Sequence, residues 1–178
     1  MTNTTSASSE TRGMSAAPTS AAPSLRPATS ADLAAVERLL TDAKLTTAGV
    51  AELFAERAGD FIVADDPERG GEIVAVAGLE MCCNDALLRS VAVRPDWRAR
   101  GLGHELVRRV VSEAESRGLR ALYLLTTTAE HYFPRFGFAR VERDAVPAEV
   151  RDTAEFKGAC PASAVAMARP VGGPPASA

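Results

Sequence analysis

Residues 91–106 read VAVRPDWRARGLGHEL, a strand-like apolar run followed by a proline turn, two glycines and a helical start. Glycine lets the backbone approach a ligand closely, and the first turn of a helix presents N–H groups at the positive end of its dipole. The segment therefore predicts an anion cradle that suits a pyrophosphate. The alternative is that Gly101 and Gly103 only shape a strand-to-helix turn, with the neighbouring arginines in solvent.

Two widespread nucleotide-binding motifs are missing from the sequence. No G-x-x-x-x-G-K-[ST] segment occurs, and Leu106 stands where the third glycine of G-x-G-x-x-G would be. The predicted cradle therefore belongs to neither the P-loop fold nor the dinucleotide-binding fold.

The segments on both sides of this stretch alternate between helical and strand-like periodicity, which is typical of an α/β domain. Helices are predicted near residues 33–40, 50–57, 103–117 and 129–136. Strands are predicted at residues 25–27, 61–64, 73–79, 86–93, 121–126, 138–141 and 163–167. The connection over residues 144–161 is long for a compact domain, and connections of that length often carry function.

The length of 178 residues fits one domain with tails, since a domain averages about 150 residues. The Thr-, Ser-, Ala- and Pro-rich start predicts a disordered tail at residues 1–24, and the Gly-Pro-rich end predicts a flexible tail at 171–178. One domain is expected over residues 25–170. No apolar run approaches the roughly 18 residues of a membrane span, so no membrane association is expected.

Charge and cysteine content exclude further classes of protein. The net charge of −3 gives no positive field that would hold a phosphate backbone, so no nucleic acid is expected as a partner. The three cysteines cannot form a disulfide framework and show no metal-ligand spacing. We therefore expect a cytoplasmic protein without a metal. The sequence leaves the oligomeric state open, a homodimer included.

On these residues the chain resembles the GNAT family of N-acetyltransferases. The acetyl-CoA signature of that family, [Q/R]-x-x-G-x-[G/A], is matched by Arg98, Gly101 and Gly103, and YFPRFGF at residues 132–138 resembles the family segment FYxxxGF. The resemblance covers residues 25–170. It implies a GNAT-type α/β fold, with a mixed and mostly antiparallel sheet flanked by helices, and an enzyme that uses acetyl-CoA as co-substrate and no metal.

Within that family the chain is most similar to the arsenic-resistance-associated N-acetyltransferases. The similar segments are AGLE at 77–80, LLRSVAV at 87–93, LLTTTA at 124–129, TAEF at 153–156 and CPASA at 160–164. The Leu-Thr-Thr stretch also resembles the acetyltransferase domain of glutamate N-acetyltransferases. Both likenesses imply a small-molecule, amino-acid-like amine acceptor, with an arsenic-containing glutamate mimic as the family-led candidate. Glutamate, a protein N-terminus and a non-catalytic acetyl-CoA-binding regulatory module are the alternatives.

The resemblance assigns acetyl-CoA contacts to two parts of the chain. The pantetheine arm would pair with the backbone of Val91, Ala92 and Val93. The pyrophosphate would be held by the loop residues Arg98, Ala99, Arg100, Gly101, Leu102, Gly103 and His104. Thr126, which stands where many relatives carry a cofactor-binding Asn, and Phe133 complete the expected cofactor site.

Direct attack on the thioester needs a neutral amine, so a base must take the ammonium proton. Glu80 is the first candidate, because partial burial at the end of an apolar strand would raise its carboxyl pKa; a solvated strand end is the alternative. The family position of the tyrosine that protonates the thiolate is Phe133 here. Tyr132, one place earlier, is the candidate acid, with protonation by water or a packing role for Tyr132 as alternatives.

A charge inside an apolar strand must be paired, reach the strand end or face an anionic ligand. We therefore predict Arg89 in the acceptor site, with a salt bridge to a neighbouring Asp or Glu as the alternative. Glu155 and Ser163 are weaker candidates for the same site. Cys82 and Cys83 suggest arsenic binding, but adjacent strand residues point to opposite faces, which favours packing roles for both.

Overall fold

Seven strands form one sheet in the computed structural model, which describes residues 22–172. They are β1 (Ser24–Pro27), β2 (Phe61–Asp65), β3 (Ile73–Cys82), β4 (Asp85–Val93), β5 (Ala121–Thr126), β6 (Ala139–Arg140) and β7 (Val165–Pro170). Their order is β1-β2-β3-β4-β5-β7-β6, and only the β4–β5 pair is parallel among these strands. The predicted mixed, mostly antiparallel sheet is therefore confirmed. Residues 1–21 and 173–178, which hold most of both predicted tails, lie outside the described residues.

Helices cover both faces of this sheet. They are α1 (Leu33–Asp42), α2 (Val50–Arg57), α3 (Leu102–Ser116) and α4 (Ala148–Arg151). Alternate residues of β2 pack into different cores: Ile62 lies with α3, whereas Phe61 and Val63 lie with α1 and α2. Each fully buried aliphatic or aromatic side chain contributes about 1.5–3 kcal/mol to folding, so the sheet is stabilised from both sides.

The boundaries of α1 and α3 follow from local chemistry. Thr29 and Asp32 form a capping box before α1, in which the Thr29 N–H donates to Asp32 Oδ2 at 2.7 Å. Gly118 follows α3 with a φ of +67°, and the N–H of Leu119 donates to the Ala114 carbonyl at 3.1 Å. A left-handed glycine at this position ends a helix as the sequence predicted.

The helix predicted over residues 129–136 is wrong. Only a 3-10 turn at Phe133–Phe136 forms there. Pro134 has no N–H to donate, and its ring disfavours helical geometry at the residue before it. The aromatic segment is therefore a tight turn ahead of Gly137, with Phe133 and Phe136 buried in the core.

The chain between α4 and the last strand is more structured than a loop. A π-turn spans Glu155–Ala159, inside the long connection over residues 144–161. β7 begins at Val165 and not at Ser163, because the Ala164 N–H turns back to the Pro161 carbonyl. Wide turns of the π type are frequent at functional sites.

A bulge in β4 disturbs the sheet at its centre. Val76 of β3 lies opposite Ala92. Two residues later in β3, Gly78 lies opposite Arg89, so that β4 carries one extra residue in this stretch. Ser90, within it, has a φ of +57°. Bulges of this kind re-aim side chains and are frequent beside active sites.

The parallel pairing of β4 with β5 is short. It consists of Ala86 opposite Leu122 and Leu87 opposite Tyr123. Beyond these two pairs the strands diverge, which opens a cleft between them on the way to α3. The fold therefore exposes the backbone of the second half of β4 along one side.

Candidate active site

A cavity of about 950 Å³ fills the cleft between β4 and β5. The two strands contribute Leu88, Arg89, Ser90, Val91, Val93, Leu124, Leu125 and Thr126. The loop and helix after β4 contribute Trp97, Arg98, Ala99, Gly101, Leu102, Gly103 and His104. The rest of the wall comes from residues 44–46, 127–129, 131–133, 135, 155, 159–161 and 164.

The cavity has two chemically different ends. One end, named the cradle end here, consists of Val93, the loop 98–104 and Tyr132. The other, named the charged end, consists of Arg89, Glu155 and Cys160. Val93 and Arg89 are four residues apart on β4, about 13 Å in an extended strand.

The loop at the cradle end holds two left-handed residues. Ala99 has a φ of +59° and Gly101 a φ of +82°. Left-handed geometry costs an alanine about 1–2 kcal/mol, a strain that is often found where a loop is pre-organised for a ligand. The first α3 hydrogen bond from this loop runs from the Glu105 N–H to the Gly101 carbonyl. The N–H groups ahead of Glu105 have no intrahelical partner, which makes them a candidate anion site beside the cavity.

The arginines of this loop take different roles. Arg98 lines the cavity and donates from Nε to the Val93 carbonyl at 2.9 Å, which ties the loop to the end of β4. Arg100 stacks on Trp97, with its guanidinium carbon 4.8 Å from the ring centroid, and is absent from the cavity wall. The cradle therefore presents mainly backbone groups and a single loop arginine.

Tyr132 lies against the first turn of α3. Its hydroxyl oxygen is 3.3 Å from the position that a Cβ on Gly103 would take, and a Val93 methyl is 3.5 Å from the same point. The Arg135 guanidinium carbon stands 4.6 Å from the Tyr132 ring centroid. Burial raises the Tyr132 pKa above its usual value. The predicted acid thus lies at the cradle end, away from Arg89.

The other predicted cofactor residues lie around the cleft in different ways. Val91 and Val93 reach the cavity wall, whereas Ala92 packs into the core beneath α1 and would offer only its backbone. Thr126 lines the cavity, but its hydroxyl accepts the Ala129 N–H at 3.0 Å and so holds the turn after β5. The buried Phe133 ring forms part of the wall.

Arg89 is the centre of the charged end, and its side chain has no exposed surface. Nη1 donates to Glu80 Oε2 at 2.6 Å and Nη2 to the Ala48 carbonyl at 2.6 Å. Nε lies 3.4 Å from both Glu155 Oε1 and the Ser90 hydroxyl. The salt bridge that the sequence left open is therefore present, and the guanidinium faces the cavity with its donors engaged.

Glu155 is 5% exposed and forms part of the charged wall. Burial raises its pKa above the usual value, Arg89 lowers it, and the nearby Glu80 carboxylate raises it. The Cys160 thiol donates to Glu155 Oε2, with Sγ and Oε2 3.8 Å apart. Burial and Glu155 together raise the Cys160 pKa to about 11, so the sulfur is a thiol donor at neutral pH.

Two predicted site residues lie off the cavity wall. Glu80 is partly buried on β3 and bound to Arg89, but it does not line the cavity. Ser163 is exposed beside the wall residues Pro161 and Ala164. Both roles therefore remain predictions.

Sequence reasoning missed the contribution of the α1–α2 connection. The Ala48 carbonyl accepts from Arg89, and Gly49, with a φ of +76°, brings this backbone close to the guanidinium. Lys44 and Leu45 also line the cavity. A backbone carbonyl leaves no signal in residue identity, but Gly49 between two predicted helices marked the turn.

The adjacent cysteines differ in their surroundings. Cys82 is buried and Cys83 is exposed in the β3–β4 turn, with a φ of +58°. Burial raises the Cys82 pKa to about 12. Within residues 22–172, no three or more His, Cys, Asp or Glu side chains cluster in a way that could hold a metal ion. No helix of the described residues combines the length and the apolarity that crossing a membrane requires.

A family model for an acetyltransferase (GNAT) domain matches residues 57–140. Over these residues, a little under half of the chain, the sequence is similar to the GNAT acetyltransferase domain. The match to the GNAT domain includes β4, the cradle loop and α3, and it ends in the strand after the aromatic turn.

Curated proteins that are similar to part of this chain are named amino-acid acetyltransferase. One from Mycobacterium tuberculosis is 35% identical over 98 residues, which are 54% of this chain and 56% of the relative. One from Serratia proteamaculans is 43% identical over 70 residues, 39% of this chain and 14% of the relative. The chain thus spans about half of one relative and about a seventh of the other.

Solved structures of similar fold extend the comparison beyond the matched segment. A Mycobacterium tuberculosis protein in complex with CoA and NLQ superposes with a TM-score of 0.70 at 26% identity, covering 83% of this chain and 99% of that one. N-acetylglutamate synthase from Neisseria gonorrhoeae, complexed with coenzyme A and N-acetyl-glutamate, gives 0.71 at 20% identity, covering 85% and 36%. The second likeness concerns the fold alone.

Proposed function

We propose that this protein is an acetyl-CoA-dependent N-acetyltransferase that acts on the primary amine of a small amino-acid-like acceptor. The observation that carries the proposal is the single cavity that joins an anion cradle to a buried charged end. Direct transfer between two bound substrates needs a cofactor site and an acceptor site in one cleft. The two sites must be close enough for the pantetheine arm to span the distance between them. The names of the curated relatives support an amino-acid acceptor.

The cradle end suits the cofactor. Pyrophosphate oxygens would accept from the N–H groups of the loop and the first turn of α3, and Arg98 would add positive charge. The pantetheine arm would lie along the diverging half of β4 and pair with its backbone as an added strand. A β4 N–H near Ala92, next to the bulge, would polarise the thioester carbonyl and stabilise the developing oxyanion.

The charged end suits the acceptor amine. Arg89, Glu155 and the loop over residues 44–46 surround this part of the cavity. A fully exposed ammonium would gain little from such groups, but a buried one gains strongly from a carboxylate partner. Glutamate and its arsenic-containing mimics both carry the required α-amine.

A second function, a regulatory module that binds acetyl-CoA without turnover, is favoured by one observation. Phe133 stands where the family resemblance implies the acid for the leaving thiolate, and the Tyr132 hydroxyl lies at the cradle end. Such a module would bind acetyl-CoA tightly and form no product.

Mass spectrometry tests the two functions directly. Purified protein and acetyl-CoA are incubated with glutamate, other amino acids, and arsenic- and phosphorus-containing glutamate mimics. We expect one acceptor to gain the mass of a single acetyl group, with CoA thiol released in equal amount. Acetyl-CoA binding by calorimetry without any acetylated amine would instead support the regulatory module.

A further inference from the structure

The buried side chains of the charged end carry more negative than positive charge; Lys44 also lines the cavity but is exposed. Glu80 and Glu155 share the single guanidinium of Arg89, and all three groups are largely buried. A buried carboxylate without full compensation either takes a proton or recruits a cation. Glu80 holds the shorter contact, at 2.6 Å against 3.4 Å for Glu155, so the uncompensated charge falls mainly on Glu155.

Glu155 also faces the cavity, which Glu80 does not. An acceptor that enters the cavity therefore meets the under-compensated carboxylate first. The partner that satisfies it is a cation able to give up a proton, as a protonated primary amine is. Each nitrogen of the Arg89 guanidinium already has an acceptor, in Ala48, Glu80 or Ser90, so an acceptor carboxylate would have to share a nitrogen with one of them.

The π-turn fixes the position of this carboxylate. The Cys160 N–H donates to the Glu155 carbonyl at 3.1 Å, across five residues. The same wide turn brings the Cys160 thiol against Glu155 Oε2. One carboxylate oxygen is therefore held near Arg89 and the other under a weak thiol donor, an arrangement that orients the group without fully stabilising its charge.

We propose that Glu155 binds the acceptor's ammonium group and accepts its proton, with Arg89 and Cys160 as positioning residues. This inference rests on the proposed acetyltransferase function and assigns to Glu155 the role that the sequence gave to Glu80.

The proton and electron pairs balance in this scheme. The ammonium gives one proton to a Glu155 oxygen, and the nitrogen lone pair then attacks the thioester carbonyl carbon. A C–N bond forms, the C–S bond breaks, and the sulfur leaves with the bonding pair. The second proton lost from nitrogen neutralises the thiolate, and Glu155 returns its own proton to water as the product leaves. Burial raises the pKa of Glu155, which makes it a stronger base than an exposed carboxylate.

The test compares Glu155→Gln with wild type on two acceptors. The first is the amino acid acetylated fastest in the mass-spectrometric panel, and the second is its aminooxy analogue, whose weakly basic nitrogen is already neutral at pH 7. With the amino acid we expect kcat/KM to fall by about 100-fold or more, a typical contribution of a general base. With the aminooxy analogue we expect a fall of less than about fivefold, because no proton needs removal before attack.

The pH profile separates a base from a merely structural group. Wild type should lose kcat/KM as pH falls through the raised pKa of Glu155, and Glu155→Gln should lack that acidic limb. Glu80→Gln removes a carboxylate that raises the Glu155 pKa, so its limb should move to lower pH. Loss of the limb in Glu80→Gln but not in Glu155→Gln would overturn the proposal and assign the base to Glu80.

Asp152→Asn is the matched control, because Asp152 is an exposed acid just before the π-turn, paired at 3.2 Å with Lys157. It should retain activity within about threefold on both acceptors. Acetyl-CoA affinity measured by calorimetry should be unchanged in Glu155→Gln, which shows that the fold and cradle are intact. Equal losses on both acceptors would overturn the role of Glu155 while leaving the acetyltransferase function standing; no turnover by wild type would remove both.

Cys160 supplies an independent check of the same arrangement. Its thiol lowers the pKa of Glu155. Cys160→Ala should therefore move the acidic limb of kcat/KM to higher pH, whereas Cys160→Ser, which keeps a donor, should leave it near the wild-type position. An unmoved limb in Cys160→Ala would mean that the titrating group is not Glu155.

Discussion

The two ends of the cavity bind charge by different means. The cradle end presents main-chain N–H groups, held by two left-handed residues and the start of α3. The charged end presents ionised side chains that three separate segments bring together around Arg89. The backbone end should therefore tolerate changes of side chain wherever space remains, whereas the side-chain end should not tolerate loss of one charge.

Gly103→Glu should have the largest effect, because its side chain would fill the space at the cradle end that the pyrophosphate is expected to occupy. A Cβ there meets the Tyr132 hydroxyl at 3.3 Å, and a carboxylate would occupy the anion site. We expect acetyl-CoA affinity to fall by more than about 100-fold, as measured by isothermal titration calorimetry.

Gly59→Glu provides the control, because Gly59 is exposed and no atom lies within 4 Å of an added Cβ there. It should bind acetyl-CoA as wild type does. An unchanged dissociation constant in Gly103→Glu would show that the phosphates do not lie at the cradle.

Arg89→Ala breaks the charged end by leaving two buried carboxylates without their shared cation. Removing one partner of a buried ion pair costs about 3–5 kcal/mol in the free energy of unfolding. The KM for the acceptor should rise at least tenfold, and the KM for acetyl-CoA should stay within about threefold. Urea denaturation and steady-state kinetics measure the two effects.

The destabilisation in Arg89→Ala should depend on pH. Without Arg89, burial raises the pKa of Glu155 further above that of the unfolded chain, so the folded state binds more protons. Stability should then fall as pH rises between the unfolded and folded pKa values, and the loss relative to wild type should be smaller in acid. Arg140→Ala, which removes an exposed arginine 3.9 Å from Glu130, should change the free energy of unfolding by less than about 1 kcal/mol at either pH.

Tyr132→Phe should have the smallest effect. It tests whether the Tyr132 hydroxyl, at the cradle end, takes part in the chemical step. Because the hydroxyl lies beside Gly103 and Val93, we expect kcat to fall by about threefold or less. Stopped-flow or steady-state release of CoA thiol measures it. A fall of 100-fold, the size expected for a general acid, would assign the thiolate proton to Tyr132.

The sequence predicted the strand end, turn and helix start of the cradle end because their determinants are local. Gly101 and Gly103 lie within a few residues of the strand end and helix start that they join, so periodicity and glycine spacing identify the turn. The wrong helix at residues 129–136 also has a local cause. The aromatic residues there have helical spacing, but Pro134 prevents a regular helix, and the structure forms a 3-10 turn instead.

The charged end could be predicted only in part. A lone Arg89 in an apolar strand signals a partner, but the partners Glu80 and Glu155 lie 9 and 66 positions away in sequence. The contacts of Arg89 with these two residues depend on strand pairing and on the π-turn, and neither of these follows from residue identity. The carbonyl of Ala48 carries no sequence signal at all.

The short β4–β5 ladder bears on how the sheet opens. Strands β1 to β4 form one hydrogen-bonded block, β5 to β7 another, and two residue pairs join them. A pantetheine arm along β4 would join the two blocks only while the ligand is bound. Ligand binding would therefore be coupled to local opening between the blocks. Hydrogen–deuterium exchange at Leu124 and Leu125 should slow on addition of acetyl-CoA, while exchange in β2 should hardly change.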